Sequence, residues 1–321
     1  MRTLSDSVAC AARAYELREQ FNLSLLESLR HLLDVAEDVI DVSCRRHLEQ
    51  KLGSLNLHEQ YSGFLSAYNA QLIKAVEEQD IPYIEKLFYF LENEDFLIKE
   101  KFINFDRFLP HQQEIFKTIA SFELPRDISF SELSLKKFTN RKDVISEALQ
   151  TLSNAMPTWY EEIQVLVSEI VILDAINLNA GSSFDLFGLI YINYNYKPDK
   201  LIDSLDFIIH ESAHLYIYLL SYQDSLILNA PDERYESPLR KDKRPLIGNY
   251  HACFVLARVL CVLKYLHHHN ALPSEESFYL DELLEHYKIR FFAGYELLNK
   301  HGRFTDLGRK LLESSKNLVK S

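Results

Sequence analysis

From the start of the chain to about residue 150, apolar positions recur with the 3.6-residue period of amphipathic helices. In SLLESLRHLLDVAEDVI, Leu25, Leu26, Leu29, Leu32, Leu33 and Ile40 make one stripe. GFLSAYNAQLIKAVEEQD and IPYIEKLFYFLENED keep the period, with Pro82 where a new helix starts well. SELSLKKFTNRKDVISEALQTLSNAMP carries the pattern to Pro157. Residues 1–157 thus predict a helical region, a scaffold or peptide-binding surface, with no motif that carries chemistry.

The texture changes after Pro157. EIQVLVSEIVILDA is rich in Val and Ile and predicts a strand from Leu166 to Leu173. GLIYINYNY, after a turn-rich stretch, predicts a second strand that Pro198 closes. A helix over about Ile202–Leu220 follows, with Asp199 or Ser204 as its candidate cap. The polar segment YQDSLILNAPDERYESPLRKDKRPLIGN predicts a long loop. YHACFVLARVLCVLKYLHHH then predicts an apolar helix, and helices near Glu276–Lys300 and Thr305–Leu318 end the chain. The expected fold is α+β, predominantly α-helical. A helical N-terminal region, 1–157, precedes a C-terminal metal-binding region, 158–321, with a small sheet packed on the helix that carries His210.

Composition agrees with a packed, helical chain. The 321 residues are 47% hydrophobic and 26% charged, with only 8 Gly and 9 Pro. A net charge of −12 disfavours a broad nucleic-acid surface. The four cysteines have no CxxC spacing, which fits reduced thiols in the cytoplasm. No signal-peptide pattern opens the chain. The longest apolar run, Phe254–Leu266, is interrupted by Arg258 and Lys264, so no membrane association is expected.

The chemistry concentrates in HESAH. His210 and His214, four apart on a helix, point from one face one turn apart, the spacing at which two imidazoles share one metal ion. Glu211 beside them suits a base acting on metal-bound water. The alternative is two histidines that merely pack or face solvent. No third histidine follows within two turns, and His251, opening the next apolar helix, is the best candidate for a third ligand. Arg258 lies two turns beyond His251, inside FVLARVLCVL, where a guanidinium needs an anionic partner. That partner is either a protein carboxylate or a bound ligand. Arg240 and Arg244 are two further candidates for carboxylate recognition. His267, His268 and His269 face different directions on a helix and suit its C-terminus better than a metal.

HESAHLYIYLL and DERYESPLRKDKRPLIGNYHACFVLAR together resemble the HExxH-type peptide-modification enzymes associated with ribosomally made peptide natural products. The resemblance spans roughly residues 160–265, with Glu236 set between Tyr235 and Ser237 as a departure from the family pattern. It implies an iron(II)- and α-ketoglutarate-dependent dioxygenase acting on a side-chain β-carbon of a precursor peptide, leader and core. It also implies iron ligation by His210, His214 and His251, with Arg240, Arg244 or Arg258 on the cosubstrate carboxylate. Two alternatives stand beside it. One is a zinc metallopeptidase with Glu211 as general base; the other is a non-catalytic leader-peptide binder using the helical N-terminal half.

Overall fold

A computed structural model of the chain describes residues 7–121, 127–197, 200–238 and 243–321, without the side chains of 277 and 278. In chain order the elements are helices α1 (Ala11–Val35), α2 (Val42–Ser54), α3 (Gly63–Glu78) and α4 (Ile81–Asn93), strand β1 (Phe102–Asn104), α5 (Pro110–Ser121), β2 (Ser129–Ser131), α6 (Leu135–Ala155) and α7 (Pro157–Leu166). There follow β3 (Glu169–Ile176), β4 (Ala180–Ser182), β5 (Leu189–Asn193), α8 (Leu201–Gln223), β6 (Tyr235–Glu236), β7 (Lys243–Arg244), α9 (Leu246–His268), α10 (Ser274–His301) and α11 (Asp306–Lys320). With 67% of residues in helix and 10% in strand, the fold is predominantly α-helical with a small mixed sheet.

Two compact units interleave along the chain. The first gathers Met1–Ala14, Ser134–Gln164 and Tyr194–Ser321; the second gathers Tyr15–Leu133 and Val165–Asn193. The sheet lies in the second unit and HESAH in the first, so the expected cut near Pro157 does not separate them. The cause is strand pairing. β3 runs parallel to β1, joining Ile170–Ile172 to Phe102–Asn104, and antiparallel to β2 through Asp174–Ile176. On its other side β3 pairs in parallel with β5, which pairs antiparallel with β4. The main-chain bonds of β1 and β2 thereby bind the 165–193 segment to the preceding helices. β5 is buried along its whole length, as its unbroken apolar run suits. Gly188 turns the chain into it at φ +90, where a Cβ would also run into Ser168 Oγ.

The first strand begins at Glu169 rather than Leu166, because Pro157 starts a helix whose last residues include Val165 and Leu166. β1 and β2 interrupt a stretch expected to be wholly helical; at three residues each they leave no period to detect.

In the first unit α9 is the central helix, packed against α8, α10 and α11, while α6 packs on α8. α9 has the length and composition of a membrane-crossing helix, yet 72% of its most apolar window is buried within the protein. The long polar segment between α8 and α9 contains one short antiparallel pairing, β6 with β7, and an isolated bridge from Ile227 to Phe304.

Candidate functional site

α8 is apolar almost all round, and most of its residues are buried. One stripe breaks the pattern: Asp203, Asp206, His210, His214 and Tyr218 follow each other at three- or four-residue steps along one face. The helix is anchored at its start by a residue far away in sequence. Glu276 of α10 accepts the Leu201 and Ile202 amide hydrogens, at 3.0 and 2.8 Å, and supplies the negative charge that a helix N-terminus favours. Ser204, a candidate cap by sequence, lies inside the helix, and Asp199 is outside the described residues.

His210 and His214 stand together as their spacing predicts, ring centroids 5.1 Å apart and planes inclined by 56°. Both are half-buried, and Glu211 between them is buried. Toward the C-terminus, Tyr218 stacks on His214 at 5.9 Å and meets His251 edge-on at 5.7 Å. His251 Nε2 lies 3.1 Å from Ser221 Oγ. Burial pushes the His251 imidazole down to about 4, so it is neutral at pH 7 and keeps a lone pair available.

Toward the N-terminus the stripe ends in charge. Lys197 Nζ sits 3.4 Å from Asp203 and 3.7 Å from Asp206. Burial works to lower this ammonium, but Asp206, Tyr196 and Asp203 outweigh it and hold it above its usual range. Tyr287 donates to Asp206 at 2.7 Å, and Tyr279 to Asp203 at 3.3 Å. Burial raises the Tyr196 phenol; Lys197 opposes that shift, while the Asp206 and Glu211 carboxylates add to it.

The structure therefore brings His210 and His214 together, with Glu211 buried beside them in the chain and Tyr218 touching both His214 and His251. Among the described residues, no group of three or more His, Cys, Asp or Glu side chains is placed to hold a metal ion. Two imidazole donors suit a metal; the three-donor set with His251 is not assembled in this arrangement.

The arginines part company. Arg258 is fully buried and pairs with Glu162 of α7, and its Nη1 donates to the Ser7 carbonyl at 3.0 Å. Its guanidinium also lies over the Trp159 ring, 4.5 Å from the centroid. Of the two partners open to it by sequence, the protein carboxylate Glu162 is paired with it. Arg244 lies in β7, half-buried. Arg240 lies outside the described residues. His267 faces Asp281 at 3.1 Å, and Asn270 takes the left-handed conformation just beyond α9, at φ 51.

Lys197, Asp203, Asp206, Tyr218 and Tyr287 were not singled out from sequence. A signal was present for three of them: polar residues at helical spacing in an otherwise apolar helix, extending HESAH in both directions. No protein-family model matches the chain, and no curated protein matches it in sequence.

Proposed function

We propose that the protein is an iron(II)- and α-ketoglutarate-dependent dioxygenase that hydroxylates a side-chain β-carbon of a ribosomally synthesised precursor peptide. The observation that carries this reading is the His210–His214 pair, one turn apart on a mostly buried helix with buried Glu211 between. The likeness of the HESAH, SPLRKDKRP and HACFVLAR segments to peptide hydroxylases supports iron over other metals. When bound, iron with a chelated keto acid supplies dioxygen activation toward an unactivated C–H bond.

The chain's residues have distinct tasks in this reading. His210 and His214 hold the ion. His251, neutral at pH 7, is the candidate third ligand. The Glu211 carboxylate offsets the positive charge of a site built from neutral ligands. Arg240 and Arg244 are the candidates for the cosubstrate carboxylate, because Arg258 is engaged by Glu162. The helices of the N-terminal half offer surface for the leader peptide, and the reaction belongs in the cytoplasm, where the four unpaired thiols stay reduced. Aerobic incubation with iron(II), α-ketoglutarate and a precursor peptide should release succinate and add one oxygen atom to the peptide. Absence of succinate with every peptide offered would overturn the reading.

One observation favours a second reading. With Arg258 paired internally, the site's described residues include an HExxH glutamate but no demonstrated cosubstrate arginine. That arrangement suits a zinc peptidase, in which His210 and His214 would help hold the ion, the ion would supply Lewis-acid chemistry and Glu211 would serve as the general base. Peptide cleavage by the zinc-loaded protein, without any requirement for α-ketoglutarate, would select it.

A further inference from the structure

One carboxylate of the α8 stripe keeps an oxygen unused. Asp206 is only 7% exposed. Its Oδ2 accepts from Tyr287 of α10 at 2.7 Å and lies 3.7 Å from Lys197 Nζ. Its Oδ1 is buried and has no hydrogen-bond partner, the one carboxylate oxygen among the described residues in that position. A buried carboxylate oxygen without a donor is more costly than a neutral group left in the same state. The side chain is held from several directions. Arg141 of α6 donates to the Tyr196 and Lys197 carbonyls at 3.2 and 3.1 Å, which fixes the chain that carries Lys197. Lys197 is shared with Asp203, so one ammonium faces two carboxylates.

Asp206 stands one turn before His210 in α8. Side chains on a helix lean toward its N-terminus, so a histidine at 210 leans over the turn that carries Asp206. Residues four apart on a helix are neighbours, with Cβ atoms about 5–6 Å from each other. His214 is out of reach, because two turns, about 12 Å of helix rise, separate it from Asp206. Asp206 therefore cannot join both histidines around one ion, and its route to an ion runs through His210. A histidine that offers one ring nitrogen to a metal commonly donates the N–H of the other to a carboxylate, which fixes the ring and its tautomer.

We propose that Asp206 is a positioning residue for His210, its Oδ1 accepting the N–H of one ring nitrogen and leaving the lone pair of the other for the ion. The inference rests on the reading of His210 and His214 as metal ligands. It adds the residue that sets the tautomer of one of them. Tyr287 and Lys197 serve the same end by holding Oδ2, which keeps Oδ1 for the imidazole.

Two measurements on the full chain test it. Metal affinity is read by competition with a chromophoric chelator, for zinc and, anaerobically, for iron(II). Asp206→Asn should weaken binding by about 10–100-fold, as the loss of a carboxylate behind a ligating histidine does. Tyr287→Phe, which removes a bond to Oδ2 alone, should weaken it less. In the metal-free chain, nitrogen-15 NMR of the histidine rings at pH ~8.5, above the titration of ordinary imidazoles, reads the tautomers. His210 should hold one tautomer in the parent and a mixture in Asp206→Leu, while His251 is the same in both. Unchanged metal affinity in Asp206→Asn, an equal loss in Tyr287→Phe, or identical His210 tautomers in parent and Asp206→Leu would each overturn the proposal and leave the two histidines as ligands. A parent chain that takes up neither ion would overturn the metal reading and this inference with it. If Asp206→Leu fails to fold, the affinity of Asp206→Asn decides.

Discussion

Arg258 and Glu162 illustrate how one buried charge fixes the use of another. Both are almost wholly inside the first unit, and Glu162 also accepts the Cys10 amide hydrogen at 2.7 Å. Removing either partner strands the other in a medium of low polarity, so Arg258→Met or Glu162→Gln should cost about 3–5 kcal/mol in urea denaturation. Replacing both with apolar residues, Arg258→Met with Glu162→Leu, should recover much of that loss. An Arg258→Met protein of unchanged stability but raised KM for a keto acid would return Arg258 to the cosubstrate.

Lys101 gives a second residue-scale expectation. Burial pushes its ammonium down to about 8, from 10.5, against the nearby Glu169 carboxylate. Between those two values the unfolded chain binds a proton that the folded one has released, so this group makes stability rise with pH across that window. Below pH 8 both states are protonated and the burial penalty is present in full. Lys101→Met should show a shallower rise in melting stability from pH 8 to 10.5 than the parent. An identical slope would show that Lys101 does not titrate there.

At the scale of elements, α8 depends on α10. Glu276 is the acceptor for the first two amides of α8, and no side chain of α8 itself caps that end. Glu276→Ala should destabilise by about 1 kcal/mol and speed hydrogen exchange at Leu201 and Ile202. Unchanged exchange at those amides would contradict the assigned cap. The helices themselves were readable because their apolar period is strong and sustained. The cap was not, since it is supplied across 75 residues by another helix, and a one-dimensional pattern contains no such partner. β1 and β2 were unreadable for a related reason, because their strand character comes from pairing with β3 rather than from their own composition.

At the scale of the whole molecule, the two units are assembled from alternating stretches of chain. Pro157 marks a real change of texture, yet pairing with β1 and β2 places the later strands in the second unit, with Tyr15–Leu133. The candidate site was legible in part. Helical geometry alone determines that His210 and His214 meet, so the spacing was sufficient. The place of His251 and the pairing of Arg258 depend on side chains from other elements, Tyr218 and Glu162, and sequence spacing does not contain those relations. What unites the site is the polar stripe of α8, whose two histidines are proposed to hold an ion.

Anaerobic reconstitution with iron(II), and separately with zinc, followed by measurement of metal bound per chain, tests this role. One ion per chain is expected in the parent protein, lost in both His210→Ala and His214→Ala while their helical content and melting behaviour stay close to the parent's. Stoichiometric metal retained in the double variant His210→Ala with His214→Ala would contradict it.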